Sequence, residues 1–277
     1  MALTPKRKLR SPSGKAIALP AIHPNVGIAV GYRQRIDKLV AEMHRSVCYW
    51  LTAQYRATPP LLASDASPAA ELLARLRRLS SRWLAKFAEG AQRLGEYFAT
   101  SVNKRSDAAL RTILRDAGFS VKFKMTRPMN DVMQATIGAQ VELIKSIASE
   151  HLSDVQGLVM RSVQEGRDLA TLTNDLQKRY DLTRKRAVLI ARDQNNKATA
   201  AMTRVRYEEL GLTKAIWMHS GGGKEPRPTH VAFAAGKLDG PIFDVREGWL
   251  DPAVNERIWP GTLINCRCVS RPVIPGI

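Results

Sequence analysis

Four side chains near the end of this 277-residue sequence have the chemistry to hold a metal ion: His219, His230, Cys266 and Cys268. Thiolate sulfur and imidazole nitrogen are soft or borderline donors, and four of them make up the complement of a structural zinc site. One residue separates Cys266 from Cys268, a spacing that can aim two sulfurs at one point but is too short for an unstrained disulfide between them. The run Gly221-Gly222-Gly223 just after His219 gives the chain freedom to fold the two histidines onto the cysteines. The spacing matches none of the familiar finger patterns. A second reading stands beside zinc: His230 and the cysteines are packed or hydrogen-bonded in a small apolar module. A catalytic metal site also needs a positioned base. The nearby carboxylates are Glu225, Asp239 and Asp244, and none has motif spacing.

The elements that must position these residues change character along the chain. Past Gly211 the sequence reads as short strands in a loop-rich setting: 214–219, 241–245 and 264–269. Trp217, Phe243, Trp249 and Trp259 are the large apolar side chains expected to fill this module's core. Upstream, helical spacing of apolar residues predicts helices over 28–56, 69–100, 107–116, about 128–165 with a break near 153 or 157, 169–180 and 183–210. Cys48 and His44 fall inside the first of these and are expected to be packing residues. Gly118 is placed as a helix C-cap, and 120–126 alternates as one strand would. The Pro- and Ser-rich stretch 58–68 reads as a linker.

The expected class is α+β: long helices with a small, loop-rich C-terminal β module. The expected organisation has four parts. Residues 1–27 form a basic extended arm, and 28–126 a helical region with one short strand. Residues 127–211 form a helical body, and 212–277 the His/Cys-containing module.

Charge narrows the partners. Lys and Arg number 43 against 25 acidic residues, a net +18, which favours an anionic partner with nucleic acid first. The segment before Asp37 carries seven of those basic residues and no acid. Three cysteines do not make a disulfide framework, which points to a reducing compartment. No apolar run reaches the ~20 residues that a spanning helix needs, so no membrane role is expected.

The order of residues in the last third also carries a resemblance. Arg192, Asp193 and Gln194, then Arg206, Trp217, Arg227-Pro228 with His230, and finally Cys266-Arg267-Cys268 resemble the Mu F-like minor head protein family. The similarity runs over about 153–275. Two departures stand out: Gly223-Lys224-Glu225-Pro226 replaces an acidic residue and an arginine common in relatives, and Asp193-Gln194 replaces a common Thr-Glu. The resemblance implies a phage minor capsid protein in head morphogenesis, associated with the portal protein and other capsid proteins. Its place would be the virion head, with the host cytoplasm during assembly. Together with the charge, it implies non-specific contact with double-stranded DNA and no enzymatic role. The alternative is a metal-dependent nuclease or hydrolase built on the His/Cys cluster. A free DNA-binding regulator is disfavoured, because no helix-turn-helix, finger or ribbon signature is present.

Overall fold

The computed structural model describes residues 4–5, 16–57, 66–165, 169–222 and 225–275. The basic run 6–10, most of the linker at 58–65, and 166–168 between two helices lie outside the described residues.

Four long helices and one short one account for most of the described residues, and the expected α+β class is borne out. Helix α1 (Val26–Ala57) starts at Asn25, whose Oδ1 accepts the Ile28 N–H at 3.2 Å and so satisfies one of the free donors of the first turn. Helix α2 (Ala66–Asp116) is continuous where the polar run 101–106 suggested a break. Val102, Asn103 and Ser106 in that run are buried, so small polar residues here pack against neighbours and do not end the helix. Gly118 takes φ 89° after it, the left-handed position expected of a C-cap glycine. Helix α3 (Arg127–Gln164) is capped by Thr126 Oγ1 accepting from Met129 N, and it runs through 153–157 unbroken. Helix α4 (Leu169–Glu209) is also one element where two were expected. Thr183, read as a start signal, donates its hydroxyl to the Arg179 carbonyl one turn back and so stays within the helix.

The chain divides into two compact units. A helical unit takes the described residues of Val30–Tyr97 and Ile137–Ala191. Its α1 stripe of Ile36, Val40, Met43, Val47 and Leu51 is buried, as are Phe87 of α2, Ile144 and Val155 of α3, and Leu172 and Ala187 of α4. Two buried polar pairs lie in this unit: the Tyr32 hydroxyl donates to Gln140 Oε1 at 2.9 Å, and His151 Nδ1 lies 2.9 Å from Thr183 Oγ1. Burial first, then the His44 and Arg179 charges, pull the His151 imidazole down to about 4.

A sheet unit takes the described residues of Met1–Ala29, Phe98–Thr136 and Arg192–Ile277. Its sheet has four antiparallel strands in the order β2-β8-β4-β5: β2 (Ile17–Ala18), β8 (Val269–Ile274), β4 (Lys214–Met218) and β5 (Ile242–Asp244). A hairpin pairs β6 (Trp249–Asp251) with β7 (Glu256–Ile258), and β1 (Thr4–Pro5) pairs with β3 (Phe119–Ser120). The strand expected over 120–126 is therefore only two residues long. The third expected strand, 264–269, begins instead at Val269. Asn265 at φ 58° and a turn closed from Cys266 N to Leu263 O bend the chain just before it.

The N-terminal arm is also corrected in part. Leu19 and Ile22 are buried in the same apolar cluster as Trp217, Phe243 and Ile274, so 16–22 is a built edge of the sheet and not a free extension. Leu19 N donates to the Pro272 carbonyl at 2.9 Å, and Arg271 Nε donates to the Leu19 carbonyl at 3.1 Å.

Candidate functional site

The sheet unit's core is an aromatic cage. Trp217 on β4 is 1 % exposed, and four rings meet it edge-on: His230 at 5.0 Å, Trp249 at 5.6 Å, Phe233 at 5.7 Å and Phe243 at 5.8 Å. Phe233 stacks on Trp249 at 4.1 Å. Of the aromatics expected here, Trp217 and Phe243 are buried, and Trp249 and Trp259 pack partly buried against the cluster. Phe233 was not foreseen. It enters on α5 (Pro228–Ala234), a short helix with Pro at its start and Arg227 as N-cap, inside a stretch that reads as loop.

Helix α5 also carries His230, and the cage fixes where its ring points. Nδ1 lies 3.6 Å from Cys266 Sγ and 3.7 Å from Cys268 Sγ. Nε2, on the other edge, lies 3.3 Å from Asp251 Oδ2. All four residues are buried, Asp251 completely. The other oxygen of Asp251 accepts the Ala253 N–H at 3.0 Å, so the β6–β7 turn holds the carboxylate in place. Sequence reasoning missed Asp251 and looked to Glu225, Asp239 and Asp244. The one signal available was an acid inside an apolar stretch, Trp249-Leu250-Asp251, which is weak until the strand is placed.

The cysteine loop is held from helix α4 by the residues of the 192–196 polar run. Asp193 Oδ1 accepts the Asn265 N–H at 2.6 Å, and Asn196 Nδ2 donates to the Cys266 carbonyl at 3.1 Å. Arg192 Nη2 reaches Asn265 Oδ1 at 3.4 Å, and Gln194 Nε2 donates to Asp193 Oδ2 at 3.3 Å. Arg227 Nη2 donates to the Ile264 carbonyl at 3.0 Å, while Arg267 donates to the Gly222 carbonyl. All of these except Gln194 bond a loop directly. Arg206 does the same deeper in the unit: its guanidinium, 2 % exposed, binds both Asp107 oxygens, Glu209 and the Lys124 carbonyl.

Of the four expected donors, the structure brings three together. The ligand atoms of His230, Cys266 and Cys268 lie within 4.8 Å of one another. His219 stands apart, on the wall of a small cavity of about 40 Å³ that it shares with Glu225, Arg227 and the three clustered residues. Its Nδ1 accepts the Gly221 N–H at 3.2 Å. Gly223 and Lys224 lie outside the described residues.

The electrostatics favour negative charge on one of the two sulfurs. The Cys266 thiol is pulled down to about 4, first by the Cys268 thiol, then by His230 and the N–H groups of Cys268 and Gly261, against the opposing effect of burial. Cys268 moves up, first because its S–H goes to Cys266, then through burial and the neighbouring charge. Trp217 Nε1, which has no oxygen or nitrogen partner among the described residues, and Ser220 N act on the Cys268 sulfur.

Residues 153–271 match the family model described as phage Mu protein F like protein. This segment is phage Mu F-like. The Mu F-like segment contains every residue of the cluster, together with the α4 residues that clamp the cysteine loop. A Haemophilus influenzae protein described as an uncharacterized protein is 33% identical over 190 residues, which cover 66% of this chain and 39% of that protein. The chain thus spans less than half of that relative's length. No solved structure matches the chain.

Proposed function

We propose that this chain is a minor head protein of a phage, acting in head morphogenesis beside the portal and touching packaged DNA without sequence preference. The observation that carries the proposal is the match of 153–271 to the Mu F-like family, on the segment that holds the best-built site in the chain. Surface charge supports the DNA contact. Helix α2 exposes Arg75, Arg77, Arg78, Arg82 and Lys86 along one stretch of the helical unit, within a chain of net charge +18. No described helix is long and apolar enough to cross a membrane. The network around the cysteine loop favours a structural role, since Arg227 and Arg267 are engaged by loop carbonyls.

Two measurements test the proposal. The protein should be found by mass spectrometry in purified heads and should co-purify with the portal protein; its absence from both would overturn the head assignment. Binding to double-stranded DNA should fall steeply with salt, by about 0.9 in log–log slope per phosphate neutralised. Replacing Arg75, Arg77, Arg78 and Arg82 with Gln should flatten that slope. Affinity unchanged between low and physiological salt would remove DNA from the partners. Metal-dependent cleavage of DNA, lost in His230→Ala, would instead favour a nuclease.

A further inference from the structure

The cluster at His230 has three properties that packing does not explain. The first is convergence. A neutral imidazole nitrogen carries either one lone pair or one proton, so it serves one hydrogen-bond partner at a time. Here Nδ1 faces two sulfurs at nearly equal distance, 3.6 and 3.7 Å. The second is the spacing itself. With Zn–S near 2.3 Å and Zn–N near 2.0–2.1 Å, tetrahedral coordination sets sulfur and nitrogen about 3.6 Å apart. The third is the group behind the ring. Asp251 Oδ2 lies 3.3 Å from His230 Nε2, and neither atom has a hydrogen-bond partner among the described residues. A fully buried acid facing Nε2 would favour the tautomer that leaves the Nδ1 lone pair aimed at the sulfurs. Carboxylate, histidine and metal in that order is the arrangement by which proteins orient a ligating imidazole.

We propose that the protein binds one zinc ion through Cys266 Sγ, Cys268 Sγ and His230 Nδ1, with Asp251 as the outer carboxylate and a fourth position facing the small cavity beside His219. Two thiolates and an imidazole select a soft or borderline cation and disfavour calcium or magnesium. His219 is not a ligand: it lies outside the group of converging atoms, and its Nδ1 is engaged with Gly221. The fourth position is taken by water or by a group entering through the cavity. The ion ties three separate pieces of chain into one: the start of α5, the loop 261–268 and, through Asp251, the β6–β7 hairpin. The zinc proposal does not depend on the proposed role in heads.

The test uses the full chain, produced in zinc-supplemented medium and purified without chelator. Elemental analysis should find one equivalent of zinc. Cobalt(II) added to the chelator-stripped wild-type protein should give the thiolate charge-transfer band of two sulfurs and the strong visible bands of a four-coordinate ion. Cys266→Ser and Cys268→Ser should each lose about half of the charge-transfer intensity. Asp251→Asn should keep the spectrum but bind 10- to 100-fold more weakly. His219→Ala should keep both stoichiometry and spectrum. Wild-type protein with no stoichiometric zinc and no cobalt spectrum overturns the site, whatever the variants do. A cobalt spectrum altered by His219→Ala overturns the three-ligand arrangement, and Cys266 or Cys268 thiols that react freely in the zinc-loaded protein, told apart from the half-buried Cys48 by peptide mapping, overturn coordination by the cysteines.

Discussion

The helical unit and the sheet unit reach stability by different routes. In the helical unit, long stripes such as Ile36, Val40, Met43, Val47 and Leu51 bury one face over many turns, so stability is spread over many side chains. In the sheet unit the strands are three to six residues long, apart from the two-residue pieces, and burial is concentrated in one aromatic cage around Trp217. Polar side chains in the first unit bond to one another between helices, as Tyr32 does to Gln140 and His151 to Thr183. In the second they hold irregular backbone in place: Asp193, Asn196, Arg227 and Arg267 each bond a loop amide or carbonyl. The lesson is that a loop-rich unit replaces ladder hydrogen bonds with side-chain ones, and so depends on individual residues in a way a helix stripe does not.

Three substitutions sharpen this contrast. The largest effect is expected from Trp217→Ala, which removes the hub of the cage and should cost about 3–5 kcal/mol. Hydrogen exchange should show protection lost across 214–275 while α1 keeps its protection. Equal loss in both regions would mean that the two units unfold together and the contrast fails.

The next effect is a pH response of the helical unit. His151 titrates near 4 when folded, against 6.5 for an ordinary histidine. Between these values the unfolded chain takes up a proton that the folded chain refuses. Stability is therefore full above about 6.5 and is lost as pH falls toward 4, by up to ~3 kcal/mol. Denaturant melts of wild type and His151→Gln should diverge over that window; parallel curves would mean another group is responsible.

The smallest expected effect is Asn196→Ala. It removes the bond to the Cys266 carbonyl and should cost about 1 kcal/mol. Its signature is local, faster exchange at 261–268 with the global melt almost unmoved. A shift as large as that of Trp217→Ala would show the cysteine loop to be the unit's true keystone.

What the sequence made legible follows from the range of the forces involved. Helical periodicity is local, and helices α1 and α3 lie close to where their apolar spacing puts them. The breaks expected in α2 and α4 fall at polar residues that the helices accommodate: Ser106 is buried, and Thr183 bonds the Arg179 carbonyl one turn back and faces His151. Donor types marked His230, Cys266 and Cys268, and the family resemblance marked the same stretch. Asp251 and Phe233 were invisible, because only the hairpin register and the short helix α5 bring them to His230. Strand β8 lies beyond the expected 264–269, because the turn at Asn265–Cys266 delays it to Val269, and it carries Pro272 although it lies in the middle of the sheet order. His219 shows the converse: the right donor type in the right neighbourhood, held away by its own loop.

The pairing of Ile17 with Ile274 also sets a timetable for folding. These residues are about 250 positions apart, so strand β2 emerges from the ribosome long before its partner exists. At ~5–20 residues per second, it waits roughly 10–50 s for β8 to be made. During that interval the long helices can form from local contacts alone, whereas the aromatic cage, which needs strands β4 and β5, cannot close. The sheet unit is therefore completed last, after synthesis of residue 274. Until then Leu19 and Ile22 are apolar side chains without their core, and a chaperone or an assembly partner meeting the chain at that stage would find them available.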